Sequence, residues 1–267
     1  MKLAYDVHGS GPTLLLLHGL SHRRQAWDPV LPALTSHRRV VTIDLPGHGD
    51  SPPIPAGADV NQAILDGVDG MLDELAPDEA RAHIAGNSLG GWVALQLAAR
   101  GRAASATALS PAGFGDTRFD QLLTKAVFRG SRAMVRANRA RMPAMLRNPV
   151  VRTVSLAPFF AKPWKVNPEA ALADSLSLAD NAVVDSMLAQ GFPIETVVRT
   201  EVPVTIAWGR RDLLLPVYQA RRARRCYPDA SVVVLPGLGH VPMWDAPERV
   251  AMVLLAGSDP CVKRVHP

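Results

Sequence analysis

The chain has 267 residues, of which 48% are apolar and 20% charged. These values are ordinary for a globular protein and exclude a disordered or collagen-like chain. The longest apolar run, residues 14–17, is far shorter than the roughly 20 residues of a membrane-spanning helix, so no transmembrane segment is predicted. The N-terminus lacks the apolar stretch of a secretory signal.

The charge is unevenly distributed along the chain, and the cysteine content predicts a location. The net charge is +5, and the basic residues concentrate in residues 118–165, which contain no acidic residue apart from Asp120. The two cysteines, Cys226 and Cys261, can form at most one disulfide. Because Cys261 falls in a segment predicted to be a loose C-terminal tail, a reducing, cytoplasmic location is expected.

Strand-like and helix-like segments alternate along the first part of the chain. Residues 13–17 and 39–43 are short aliphatic runs that end in turns, as in the buried strands of a parallel sheet. Alternation at this pace predicts an α/β fold with a mostly parallel central sheet flanked by helices. The other predicted strands are 1–6, 82–85 and 104–109, and the helices are 24–34, 61–75 and 89–100.

The alternation breaks at residue 111 and resumes near residue 201. A structureless loop of that length is uncommon in a compact domain, so residues 111–200 are predicted to form an inserted helical cap. The core is then assigned to 1–110 and 201–256, and the tail to 257–267. The predicted elements after the cap are strands at 204–208 and 231–235 and a helix at 217–226.

The last helix is predicted to begin at Asp245. The sequence from Asp245 to Glu248 combines an acidic N-cap, an early proline and a glutamate three residues on, as in a capping box.

Residues 86–90, Gly-Asn-Ser-Leu-Gly, follow a predicted strand and precede an apolar helix. This is the context of a nucleophile elbow, in which glycines permit a sharp turn and the serine hydroxyl stands at a helix N-terminus. The pattern alone is weak, and the alternative is that Ser88 is a small residue in a tight turn. The flanking elements favour Ser88 as a nucleophile.

A serine needs a base, and neutral imidazole is the usual one near pH 7. His240 follows the last predicted strand, so it emerges at the same edge of the sheet as Ser88. Asp212 follows the preceding strand and is predicted to orient His240, in the chain order Ser, Asp, His. The alternative for Asp212 is a loop carboxylate paired with Arg210 or Arg211.

Acyl transfer also needs donors for an oxyanion. The backbone N–H of Leu89, the residue after Ser88, is one candidate. The other is the N–H of Leu20, because Gly19 lets the chain turn directly after the strand at 13–17.

Together with His18-Gly19 and the segment 44–51, Asp-Leu-Pro-Gly-His-Gly-Asp-Ser, these motifs resemble the α/β-hydrolase superfamily in its esterase, lipase and epoxide-hydrolase-like branch. The resemblance spans both ends of the chain and omits only the cap. It implies the α/β-hydrolase fold and gives the segment containing His48 a structural role. Epoxide hydrolases and haloalkane dehalogenases carry Asp at the position of Ser88, which argues against those two activities.

The expected function is therefore hydrolysis of a carboxylic ester, or a related acyl compound, by a serine hydrolase with the triad Ser88, His240 and Asp212. Thioester hydrolysis, cofactor-free perhydrolysis and carbon–carbon bond hydrolysis use the same residues, although the glycine-rich oxyanion loop typical of the last class is absent after Gly19. A non-catalytic ligand receptor is a further alternative. No cofactor, metal or nucleic acid is expected.

The basic cap has two interpretations. A solvated helix face is the first, and contact with an anionic acyl carrier or anionic lipid is the second. Apolar cap residues are likewise either the cap's own core or the wall of a pocket for an apolar acyl substrate. The arginines are Arg129, Arg132, Arg136, Arg139 and Arg141; the apolar residues are Leu122, Phe128, Met134, Met142, Met145, Phe159, Phe160 and Trp164.

Overall fold

A computed structural model describes residues 1–75, 81–195 and 197–259. Seven strands form one sheet in the order β1-β3-β2-β4-β5-β6-β7. All neighbouring strands are parallel except β1, which pairs antiparallel with β3. The strands are β1 (Tyr5–His8), β2 (Thr13–Leu17), β3 (Arg39–Ile43), β4 (His83–Asn87), β5 (Ser105–Leu109), β6 (Val204–Gly209) and β7 (Ser231–Leu235).

Eleven α-helices lie in the described ranges and cover the sheet or form the segment between β5 and β6. They are α1 (Leu31–Leu34), α2 (Val60–Leu75), α3 (Leu89–Ala99), α4 (Arg118–Ala137), α5 (Met142–Arg147), α6 (Pro149–Leu156), α7 (Pro168–Asp180), α8 (Val183–Gln190), α9 (Gln219–Cys226), α10 (Pro242–Asp245) and α11 (Pro247–Gly257). The predicted α/β fold is confirmed. None of these helices has the length and apolarity needed to cross a membrane.

The burial of the central strands explains why aliphatic runs in the sequence predict them. Every residue of β2 and β5 is buried, as expected for parallel strands that are covered by helices on both faces. Continuous aliphatic runs therefore marked these strands. Strand β1, predicted at residues 1–6, begins at Tyr5. Its residues alternate between exposed and partly buried.

The helix predicted at 24–34 is divided in two. Residues Arg24–Val30 form a 3₁₀ helix, and α1 follows as a single turn. Pro29 stands inside the first part and has no N–H to donate, which prevents a continuous α-helix.

The C-terminal helix also differs from the prediction. Helix α11 begins at Pro247 with Ala246 at its N-cap and no side-chain cap, so the predicted capping box is wrong. The carboxylate of Asp245 is used elsewhere, as described below. Helix α11 ends at Gly257, and Ser258 is buried and accepts a hydrogen bond from Arg38. Cys261 lies outside the described residues.

Helices α4 to α8 lie between β5 and β6, in the segment predicted as a cap. Helix α4 packs against α7, and three arginines join them. Arg132 and Arg136 donate to the carbonyls of Asn181 and Ala179 at the end of α7, and Arg139 pairs with Asp180. Arg132 and Arg136 thereby supply donors for the carbonyls that a helix C-terminus leaves unpaired. The predicted solvated basic face is therefore wrong for Arg132, which is buried.

Candidate active site

Ser88 occupies a strained turn between β4 and α3. Its φ of 55° and ψ of −112° lie in a region that non-glycine residues rarely adopt. The turn is tightly enclosed: a Cβ at Gly86 would overlap the backbone of Gly90, and a Cβ at Gly90 would overlap the carbonyl of Leu17. The two glycines of the motif are thus required by close approach of the chain.

His240 and Asp212 form a direct pair. The distance from His240 Nδ1 to Asp212 Oδ2 is 2.8 Å, and both side chains are buried. The other oxygen of Asp212 accepts the N–H groups of Leu214 at 3.0 Å and Leu215 at 2.7 Å. A carboxylate held in this way fixes the proton on Nδ1 and leaves Nε2 as the basic nitrogen. The alternative pairing with Arg210 or Arg211 is not observed for Asp212 in the described ranges.

Asn87 links the serine turn to the histidine loop. Its side-chain amide donates to the carbonyl of His240 at 2.8 Å and to that of Leu109 at 3.0 Å. The carboxyl ends of β4, β6 and β7 therefore bring Ser88, Asp212 and His240 to one edge of the sheet. None of the described residues forms a hydrogen bond with the Ser88 hydroxyl, and in unliganded sites such bonds are often long.

The peptide between Gly19 and Leu20 has a fixed orientation. The Gly19 carbonyl accepts the N–H of His22 at 3.0 Å and the Nδ1–H of His18 at 2.8 Å. In a trans peptide the N–H points opposite to the carbonyl, so the Leu20 N–H points away from these donors. A Cβ on Gly19 would lie 3.4 Å from the Ser88 Cβ, which places this peptide beside the serine.

Leu89 is the first residue of α3, where N–H groups have no partner within the helix. The two amides predicted to form an oxyanion site thus border the serine turn.

Two buried histidines support this loop. His18 Nε2 accepts the N–H of Leu45 at 3.0 Å, and His48 Nε2 lies 2.9 Å from the Leu20 carbonyl. Burial lowers the pKa of both imidazoles, which keeps them neutral. His48 therefore packs under the loop, in agreement with its expected structural role.

A second pair of titratable groups lies between the loop and α7. His22 Nε2 is 3.8 Å from Asp174 Oδ2. Burial and the nearby His240 lower the pKa of His22 to about 3, and burial raises the pKa of Asp174 to about 7. No sequence pattern predicts this pair, because its members are distant in the chain.

Asp245 is a site residue that the sequence reasoning missed. Its carboxylate is fully buried and accepts three backbone N–H groups: Gly239 at 2.7 Å, Ala161 at 3.1 Å and Lys162 at 2.7 Å. Gly239 precedes His240, whereas Ala161 and Lys162 follow α6 in the cap segment. One carboxylate thus joins the histidine loop to the cap.

A cavity of about 500 Å³ extends from Ser88 into the cap segment. Leu20 and Ser88 line it from the core, and the cap contributes an apolar wall that includes Phe128, Met187 and Leu188. Exposed lining residues mark its opening at the start of α4 and the end of α8; they are Asp116, Gln121, Ala189 and Gln190.

The predicted apolar cap residues divide between two roles. Phe128 lines the cavity, whereas Met142, Phe159 and Phe160 are buried among other cap and core residues. Leu122 and Trp164 are more than half exposed. Within the described ranges, no three His, Cys, Asp or Glu side chains cluster as metal ligands.

A family comparison identifies the fold. The sequence model of the alpha/beta hydrolase family matches residues 14–253. The chain belongs to the alpha/beta hydrolase family. The relatives of this alpha/beta hydrolase carry names of several different activities.

Three relatives of this alpha/beta hydrolase illustrate that range. The dihydrolipoyllysine-residue acetyltransferase component of the acetoin cleaving system of Pseudomonas putida is 32% identical over 94% of this chain, which spans 65% of that protein's length. An epoxide hydrolase of Mycobacterium tuberculosis is 31% identical, with 78% of this chain and 99% of that protein aligned. The crystal structure of a membrane phospholipase A is 30% identical, with a TM-score of 0.69 and coverage of 94% and 80%, respectively.

Proposed function

We propose that this alpha/beta hydrolase cleaves carboxylic esters through an acyl-enzyme, with Ser88 as nucleophile, His240 as base and Asp212 as the residue that orients the base. The observation that carries the proposal is the 2.8 Å hydrogen bond between His240 and Asp212, at the sheet edge where Ser88 occupies a strained turn. A structural serine in an ordinary turn would not require that conformation.

The reaction has two halves. Ser88 Oγ attacks the ester carbonyl carbon while His240 Nε2 accepts the hydroxyl proton, and the same proton passes to the departing alcohol. Water then attacks the acyl-serine, giving a proton to His240, and release of the acid returns that proton to Ser88. The N–H groups of Leu20 and Leu89 donate to the oxyanion in both halves, and each such donor lowers the barrier by about 3 kcal/mol.

The cavity supports an apolar acyl group as the substrate's main recognition element. Phe128, Met187, Leu188 and Leu214 line the space beyond Ser88, and burying apolar chain atoms there favours binding by about 25 cal/mol per Å². Residues 111–200 serve in this proposal as a cap that closes the acyl site.

The identity of the nucleophile distinguishes this reaction from that of the epoxide hydrolase relative. An epoxide has no carbonyl group, so attack by Ser88 would create an ether that the triad cannot hydrolyse as it does an ester. Ester hydrolysis agrees better with a serine at this position, and the phospholipase A relative is named for cleavage of an ester.

The test is covalent labelling of Ser88. Wild-type protein and Ser88→Ala are exposed to a small fluorophosphonate, and intact mass is measured. One adduct on the wild type and none on Ser88→Ala is the expected result. Labelling of neither folded protein, or of both equally, would reject Ser88 as an activated nucleophile.

Substrate class is then measured with p-nitrophenyl esters of increasing chain length. We expect kcat/KM to rise with chain length until the cavity is filled. A matched thioester of the best acyl group separates esterase from thioesterase activity, because the acyl half is the same in both substrates.

A further inference from the structure

The outer face of α4 combines apolar and basic side chains. Residues at spacings of three and four share one face of a helix, and on α4 this face is exposed throughout. Phe119 is 65% exposed and Leu122 is 57% exposed. The outer face consists of Phe119, Leu122, Ala126, Arg129 and Ala133, with Arg118 beside it.

Two of these arginines are unpaired. The guanidinium groups of Arg118 and Arg129 make no hydrogen bond or ion pair with any residue in the described parts of the chain, whereas those of Arg132 and Arg136 on the same helix bind the end of α7. Because Arg118 and Arg129 are exposed and no acidic side chain neutralises them, an external anion has access to both.

Negative charge is absent from the outer face. Asp120 is the only acidic residue between positions 118 and 165, and it is buried, where it accepts hydrogen bonds from Thr117, Tyr218 and Gln219. Asp116, before the helix, faces Arg222 at 3.7 Å. The outer face therefore carries two arginine side chains and no acidic side chain.

The opposite face of α4 lines the cavity. Gln121, Thr124, Lys125 and Phe128 belong to its wall, and the exposed Gln121 stands at its opening. Leu122 follows Gln121 directly in the sequence, and Phe119 stands two positions before it. A surface that contacts the outer face therefore lies next to the entrance that leads to Ser88.

We propose that the outer face of α4 docks on an anionic lipid surface, with Phe119 and Leu122 inserted among the acyl chains and Arg118 and Arg129 on the headgroups. Aromatic and aliphatic side chains framed by arginine are the composition of interfacial helices, and anionic headgroups supply the complementary charge. Docking itself does not depend on the proposed function. If the proposed ester hydrolysis is also correct, docking implies that the esters cleaved are amphiphiles presented at the lipid surface.

The experiment measures binding to vesicles with the Ser88→Ala variant of the whole 267-residue chain, so that hydrolysis cannot alter the lipid. Vesicles of phosphatidylcholine with about 30% phosphatidylglycerol are compared with pure phosphatidylcholine vesicles by flotation, at low and high salt. Two test variants are made in this background, Phe119→Ser with Leu122→Ser and Arg118→Gln with Arg129→Gln. The matched control is Val150→Ser with Val154→Ser, which changes two apolar residues on α6 that are even more exposed than Phe119 and Leu122.

The expected result is binding to the anionic vesicles that weakens with salt, a loss of about tenfold or more in each α4 variant, and no loss in the α6 control. Circular dichroism verifies that all variants are folded. Absence of binding to anionic vesicles, equal binding of parent and α4 variants, or an equal loss in the α6 control would overturn the proposal. Formation of a dimer that the α4 variants disrupt, in place of vesicle binding, would likewise overturn it and assign the face to a second copy.

Failure of docking and failure of the proposed function remain distinguishable. Fluorophosphonate labelling reports on Ser88 without lipid, and flotation reports on α4 without catalysis.

Discussion

The carboxylate of Asp245 accepts the backbone N–H of Gly239 at 2.7 Å, one residue before His240. The same carboxylate accepts N–H groups of the cap segment at Ala161 and Lys162, and the N–H of Val241 donates to the carbonyl of Phe159 at 2.8 Å. The histidine loop is therefore clamped to the cap on both sides of His240. If the histidine loop or the cap segment moved, buried polar groups would be left unpaired, and the free energy of unfolding would fall.

Asp245→Asn is predicted to weaken both stability and catalysis. The amide retains one acceptor oxygen but turns an NH₂ group toward a backbone N–H that it cannot bind. We expect the free energy of unfolding to fall by about 1–3 kcal/mol and kcat to fall by about tenfold or more, because His240 is displaced. Urea unfolding and steady-state kinetics with a soluble ester measure the two effects.

The control for Asp245→Asn is Asp180→Asn, which removes an exposed carboxylate paired with Arg139. Surface pairs contribute about 0–1 kcal/mol, so this variant should retain kcat. A kcat unchanged in Asp245→Asn would mean that the clamp supports the cap without positioning His240.

Asp212→Asn is predicted to lower kcat by about 10⁴-fold with little change in fold. The asparagine oxygen is able to keep the N–H groups of Leu214 and Leu215, which leaves its NH₂ group facing His240 Nδ1. The imidazole then carries its proton on Nε2, where it has no basic lone pair for Ser88. A loss of less than about tenfold, measured on protein with unaltered circular dichroism, would remove Asp212 from the triad.

Much of the core was predictable because its signals are local. The bounds of β2, β3 and β7 match the predicted strands at 13–17, 39–43 and 231–235, since buried parallel strands are short aliphatic runs between turns. The Ser88 turn was predictable for a related reason. Its glycines are required by backbone approach, and such a requirement leaves a fixed spacing in the sequence.

The interactions that join core and cap were not predictable. Asp245 stands before a proline and a glutamate, which is a valid helix-start pattern, but its partners at Ala161 and Lys162 are distant in the chain. Arginine is usually a surface residue. Arg132 is nevertheless buried, because its guanidinium binds the carbonyl of Asn181 and the carboxylate of Asp185. Sequence periodicity reports which residues share a face and does not report what covers that face.

Gly90→Ala is predicted to be strongly destabilising. The N–H of Gly90 donates to the His18 carbonyl at 3.1 Å, and the added methyl would overlap the Leu17 carbonyl, so α3 would be pushed away from the end of β2. We expect a loss of about 3 kcal/mol or more in the free energy of unfolding. The displaced His18–Leu20 loop would also lower kcat.

Gly70→Ala is the matched control for the previous substitution. Gly70 lies in α2 with no atom within 4 Å of an added Cβ, so the change should stabilise the protein by about 0.5–1 kcal/mol. Chemical denaturation of both variants tests the contrast. Equal effects of the two substitutions would show that close packing at Gly90 does not determine its cost.

Asp174→Asn is predicted to change stability in a pH-dependent way. Burial raises the pKa of Asp174 from 3.8 to about 7 in the folded protein. Between these values the folded state holds a proton that the unfolded state has released, so the contribution of Asp174 to stability falls as the pH rises and becomes constant above about pH 7. Asparagine does not ionise, and its advantage over aspartate therefore grows across the same interval, by on the order of 4 kcal/mol.

The neighbouring His22 titrates in the opposite sense. Its pKa of about 3 in the folded state lies below the ordinary 6.5, so its contribution to stability is lost as the pH falls from about 6.5 toward 3. Both proteins contain His22, and this contribution cancels in the difference between them to the extent that the two sites are independent.

Urea unfolding of parent and Asp174→Asn at roughly pH 5 and pH 8.5 measures that difference, with the exposed Asp66→Asn as a control for the chemical change. A difference that is the same at both pH values would show that Asp174 is ionised in the folded protein, and its burial beside His22 would then be stabilised by a charge partner such as Arg23, which lies 4.0 Å away.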